Sequence, residues 1–162
     1  MQQLRQVSLF ITISLWAMII GGVLYSHIVY FPPYLSHLPE SNSLITGEYG
    51  LKDQNFWMPL HPLVILSTFT SLIMNWKVLE KRKYILIALG IYALAIIATA
   101  IYFVPNLIAF AGSSKASTVT AAEWYQRGQT WQQLSWIRGS SLFIGFILLL
   151  IALTKNKQPD NK

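Results

Sequence analysis

Four stretches of this chain carry almost no charge over about twenty residues or more: Val7 to Phe31, Phe56 to Trp76, Tyr84 to about Ala111, and Leu134 to Thr154. A helix needs about 20 apolar residues to cross ~30 Å of hydrocarbon. A backbone in lipid must also satisfy its own hydrogen bonds, which leaves helices or closed barrels. The expectation is an all-α integral membrane protein, a four-transmembrane-helix bundle with spans of about 7–31, 56–76, 84–106 and 134–154. Pro32-Pro33 is expected to stop the first span, and Pro105 to break the third near its far end. Residues 1–155 read as one membrane domain and 156–162 as a polar cytoplasmic tail. With 54% apolar and 11% charged residues, far below the roughly one quarter charged of soluble domains, soluble classes are excluded.

The net charge of +6 then calls for a topological explanation and not for a nucleic-acid partner. Arg5, Lys77, Lys81, Arg82, Lys83, Lys155, Lys157 and Lys162 all fall on one side of a four-span arrangement, and that side is expected to be cytoplasmic. Glu40, Glu48, Lys52, Asp53, Lys115, Glu123 and Arg127 fall on the other. Both termini are therefore predicted inside a cell membrane, the inner membrane if the source is bacterial. The first apolar run is longer than the ~7–15 residues of a signal-peptide core and has no clear small-x-small site, which favours a retained span. Zero Cys removes disulfides, thiolate metal sites and covalent haem attachment.

Within this frame, local signals are few. The tight connection Lys77 to Lys83 makes spans two and three an antiparallel pair. Thr120-Ala121-Ala122-Glu123 matches a capping box and predicts a helix that starts there and runs into span four. Along it Arg127, Trp131, Leu134 and Arg138 share a face. Gly22 with Ser26, Ala95 with Thr99, and Ser141 with Gly145 are small-x-x-x-small pairs that allow close helix approach in lipid.

Polar residues inside the spans are the candidates for function, because an ionisable group in hydrocarbon is expensive. His27, beside Tyr25 and Tyr30, lies late in span one; His61, between Pro59 and Pro62, lies early in span two. Asn106 follows Pro105, and Arg138 opens span four. At ~1.5 Å per residue all four fall in the outer half of the bilayer. Each also has a plainer role: hydrogen bonding for the histidines, snorkelling to headgroups for Arg138, capping of a broken helix for Asn106.

Three chemistries fit such a group of residues. Two imidazoles on facing helices can ligate haem or another metal. A His base with Arg138, Asn106 and Trp N–H donors can form and hold an oxyanion without a cofactor. An amphiphilic ligand can also be bound without reaction, its head fixed by the polar cluster. Tyr25, Trp57, Trp131 and Trp136 are the expected pocket walls, unless those tryptophans form only an interfacial aromatic belt. The partners implied are the lipid bilayer and a hydrophobic small molecule. A non-enzymatic module that binds a lipid or a partner subunit is the alternative class.

Gly22, Tyr25, Val29 and Pro32, then Arg82, then Thr99 with Pro105-Asn106, then Trp131, Leu134, Ile137 and Arg138 resemble a family of small four-span membrane proteins that includes the fungal anthrone oxygenases. That family tends to place one residue between the Pro and the Asn, and an Asn where Ser135 stands in this chain. The resemblance implies a four-helix membrane domain and, in its best-known members, oxidation of a polycyclic anthrone to a quinone without a required cofactor. It implies His27 or His61 as base and Arg138 with Asn106 as stabiliser.

Overall fold

The computed structural model describes residues 2–114 and 116–155; the polar tail expected over 156–162 lies outside the described residues. Four helices are long and apolar enough to cross a membrane: α1, Gln2–Ser36; α2, Gln54–Met74; α3, Leu79–Ala111; and α4, Ala121–Thr154. The protein is a multi-pass helical membrane protein built as a four-helix bundle. The first and third connections meet at one end, termed the upper end, where Asn42 Nδ2 donates to the Ser113 carbonyl and Oγ at 2.9 and 3.0 Å.

Two of the helices run past their expected ends. Pro32-Pro33 does not stop α1, which continues to Ser36, and Pro105 does not break α3, which continues to Ala111. In both, a π-helical turn precedes the proline, Ser26–Tyr30 in α1 and Thr99–Phe103 in α3. Phe31 N–H reaches back five residues to the Ser26 carbonyl, and Val104 N–H to that of Thr99. The wider turn absorbs the clash that a proline imposes on the preceding helix, so the chain stays helical. One carbonyl is orphaned in α1: Pro32 has no N–H and Phe31 donates elsewhere, which frees the His27 carbonyl. Gln132 Nε2 of α4 reaches it at 3.4 Å. Helix α4 starts, as expected, at the predicted capping box, where Glu123 N–H donates to Thr120 Oγ1 and Thr120 N–H to Glu123 Oε2.

Lipid tails are as apolar as the helices, so close packing and interhelical hydrogen bonds must hold the bundle. On the α1–α2 seam Thr12 Oγ1 and Ser71 Oγ lie 2.8 Å apart, and Trp16 Nε1 donates to Thr68 Oγ1 at 3.0 Å. Trp16 is fully buried and lies against Gly145 of α4, where an added Cβ would fall 2.7 Å from the indole. Gly22 makes the same room for Phe56 and Trp57. The small pairs expected from sequence thus include two true contact points. Gly139, against Val23 at 2.8 Å from such a Cβ, is a third that the spacing did not reveal.

Helix α1 packs on α2 and α4, and α4 packs most extensively on α3. The α2–α3 seam is far thinner, despite the tight turn that joins the two helices. Lower down, Leu72, Ile85 and Ala88 share one core with α1 and α4. Higher up, His61 Nδ1 and Tyr92 Oη, 2.7 Å apart, link the pair.

Candidate functional site

Above the His61–Tyr92 link the helices enclose a cavity of about 570 Å³. His27 and Tyr30 of α1, Trp57 and His61 of α2, Tyr92 and Thr99 of α3, and Trp131 and Arg138 of α4 all contribute to its lining, among otherwise mainly apolar side chains. This volume lies within the ~300–1,000 Å³ typical of small-molecule sites.

Arg138 is held inward and does not snorkel. Its Nη1 donates to Thr99 Oγ1 at 2.7 Å and Nη2 to Ser135 Oγ at 3.0 Å, and its Cζ sits 4.0 Å from the Phe103 ring centroid. Thr99 donates its own proton to the Ala95 carbonyl at 2.7 Å, so its oxygen is left to accept from the arginine. The π-helical turn that begins at Thr99 is therefore part of the site. A guanidinium has five N–H donors. Two are used here, Nε is buried without a partner, and neither acceptor is a carboxylate.

The two histidines differ in their bonding. His27 is 3% exposed, packs against Phe31 and Trp136 at ring distances of 5.5 and 4.6 Å, and has Nδ1 2.7 Å from the Val23 carbonyl. A carbonyl only accepts, so Nδ1 carries the proton and a neutral ring presents a bare Nε2, which is buried and unpartnered. His61 stacks on Trp57 at 5.6 Å with an interplanar angle of 21°. Its Nδ1 faces the Tyr92 hydroxyl, a buried donor whose described partner is that imidazole. A phenol both donates and accepts, so this contact serves either tautomer of His61. Partner inventory thus sets the tautomer of the His27 ring alone.

Asn106 lies elsewhere. Its Nδ2 donates to the Tyr102 carbonyl at 2.8 Å, and it lines a separate surface hollow with Glu123, Gln126 and Arg127. It does not cap a broken helix, because α3 is unbroken there. Tyr25 is 62% exposed and faces away from the cavity; Trp136 stands behind His27 and does not line it. Trp57 and Trp131 are true wall residues, and Trp131 Nε1 donates to the Phe103 carbonyl at 3.1 Å.

Asp53, Tyr30, Tyr34, Tyr92, Thr99 and Ser135 surround or support the site without having been expected there. Asp53 sits just outside α2 at the upper rim, and burial raises its carboxyl above the ordinary aspartate value. A sequence signal did exist for Thr99, which, like Ser26 in α1, stands six residues before a proline inside an apolar run.

Among the described residues no group of three or more His, Cys, Asp or Glu converges as a metal site. A haem held by His27 and His61 would need both Nε2 atoms free. His27 Nε2 is buried and unpartnered, and His61 Nδ1 lies 2.7 Å from Tyr92 Oη, which orients the ring. No family model, curated protein or solved structure matches the chain.

Proposed function

We propose that this protein binds a hydrophobic small molecule carrying an acidic or enolisable group, and oxidises it with dioxygen in the manner of the anthrone oxygenases it resembles. One observation carries the reading: a single apolar cavity is lined by a guanidinium without a carboxylate partner and by His27, whose Nε2 is buried without a hydrogen-bond partner. A buried cation favours an anion, and a buried acceptor without a donor favours a group that brings a proton.

The chemistry follows from those two needs. His27 Nε2 takes a proton from an activated CH2 group, and the electron pair moves onto the conjugated oxygen. Arg138 and the Nε2–H of His61 hold that oxyanion. The carbanion carbon bonds to dioxygen, and the resulting peroxide recovers the proton from His27. Loss of the second C–H proton with cleavage of the O–O bond releases water and leaves a ketone. The substrate gives up two hydrogens, and dioxygen becomes one carbonyl oxygen and one water. Tyr92 positions His61, while Thr99 and Ser135 position Arg138. We further propose that the lower, basic end faces the cytoplasm, so that the site lies in the outer half of a cell membrane.

The test uses the purified protein in lipid nanodiscs with anthrone itself, following oxygen uptake and quinone absorbance. Wild type should turn over. His27→Ala and Arg138→Gln should each lose at least two orders of magnitude in rate, the usual scale for a base or an oxyanion donor. Equal rates in all three would overturn the reading. An absorbance spectrum with a Soret band dependent on His27 and His61 would replace it with haem binding.

A further inference from the structure

The walls of the cavity are unequal. Its roof is fastened: the first connection is tied to the third by the Asn42 bonds to Ser113, Asn42 also accepts from Tyr34 at 3.5 Å, and Ser41 Oγ donates to the Tyr34 carbonyl. Ile45 adds apolar packing onto the aromatic cluster around Tyr34 and Phe110. On the sides, α1 is closed against α2, and α4 against α1 and α3. The exception is the α2–α3 seam above His61 and Tyr92, where the two helices make no extensive contact. The residues that line the cavity along this seam are apolar and also exposed on the outside of the bundle. Met58 of α2 is 71% exposed, and Val104 and Ile108 of α3 are 43% and 68% exposed. A side chain that faces both a cavity and the exterior marks an opening, and these three lie on two helices long and apolar enough to cross a membrane.

We infer that the cavity is filled sideways from the bilayer, through a portal between the upper halves of α2 and α3 bounded by Met58, Val104 and Ile108. The ligand is a free, membrane-dissolved aromatic or polyunsaturated molecule with one anionic or enolisable group. Its apolar body never leaves lipid, and its polar group slides past the portal to Arg138. Thr46, Leu51 and Gln54 also line the cavity and are exposed at its upper rim, which is the competing route that bridging the roof tests. This inference rests on the reading of the cavity as a ligand site.

The absence of native Cys permits a direct test. Met58→Cys with Ile108→Cys can be bridged by a short bifunctional methanethiosulfonate reagent and released with reductant. Asn42→Cys with Ser113→Cys, bridged in the same way, fixes the roof instead. The probe is 9-anthracenecarboxylate in nanodiscs, with association followed by energy transfer from tryptophan. Arg138→Gln supplies the background from probe dissolved in lipid. Bridging the portal should slow Arg138-dependent association at least tenfold, reversibly with reductant, while bridging the roof should leave the rate within twofold. An unchanged rate with the portal bridged, or slowing only when the roof is bridged, overturns the portal and leaves the cavity reading standing. Wild type showing no binding beyond the Arg138→Gln background overturns the cavity reading, and the portal with it.

Discussion

Replacing Arg138 by Met separates a structural arginine from a ligand-binding one, because the two roles predict opposite results. Placing an arginine at the centre of a membrane helix costs about 2.5–3.5 kcal/mol on insertion scales. Against this stand the bonds to Thr99 and Ser135, at about 0.6–1.7 kcal/mol each for interhelical hydrogen bonds in membranes. The contact with the Phe103 ring adds about 0.5–2 kcal/mol. The favourable contributions total about 2–5 kcal/mol and nearly cancel the burial penalty, so a flexible apolar Met of similar reach should leave stability within ~1 kcal/mol of wild type. Ligand affinity should respond differently. Removing one partner of a buried, hydrogen-bonded charge pair costs about 2–5 kcal/mol, roughly 30-fold to several thousand-fold in Kd. The assay pairs reversible unfolding in mixed micelles with equilibrium binding of 9-anthracenecarboxylate in nanodiscs. A stability loss above about 3 kcal/mol with unchanged affinity per folded molecule would show that Arg138 serves the bundle and not a ligand.

Three further outcomes can be checked more simply. Gly145→Ala places a methyl 2.7 Å from Trp16, which is held by Thr68 and packed at a tilt against Tyr92 at 5.1 Å, so stability should fall by about 1–3 kcal/mol; Gly21→Ala, with nothing within 4 Å of the new Cβ, should not lower it. The raised folded-state value of Asp53 means that the native protein holds this proton more tightly than the unfolded chain does, so stability should decline as pH rises from the ordinary aspartate value through the folded one. Asp53→Asn should remove that slope in a thermal-unfolding series and be the more stable protein above it. A topology reporter joined after Lys155 should read cytoplasmic, and one inserted after Ser113 should read external; the reverse would invert the proposed orientation.

The four spans were legible because lipid demands long uncharged helices, and no tertiary detail alters that requirement. The start of α4 was equally legible, since Thr120 and Glu123 satisfy each other locally. His27, His61 and Arg138 could be nominated from the expense of burying them, and they line one cavity. What the sequence could not convey was the depth and azimuth of each polar group. Asn106 and Arg138 were expected at one level, but on α3 it is Thr99 and Phe103 that meet Arg138, while Asn106, seven residues above Thr99, lies beside Glu123, Gln126 and Arg127 of α4. The weakness of the α2–α3 seam was likewise hidden, because a short connecting turn dictates neighbourhood at one end only.

The prolines explain why azimuth was misjudged. A proline lacks the N–H and clashes with the preceding turn, so each was expected to end or break its helix. The two π-helical turns solve the problem differently, by letting Phe31 and Val104 donate one residue further back. Each insertion also rotates the upper part of its helix relative to the lower part. In α1 it frees the His27 carbonyl for Gln132 of α4, and in α3 it opens at Thr99, the residue that receives Arg138 of α4. Both irregularities therefore bond to the same helix. Substituting Pro105 by Ala tests whether the proline causes the turn: with an N–H restored, α3 can close to a regular helix, which would re-aim Phe103 against Thr99 and weaken the cradle of Arg138. Binding of 9-anthracenecarboxylate should then fall although no cavity charge has changed. If affinity and the Arg138–Thr99 contact both survive, the π-helical turn is held by α4 and not by the proline.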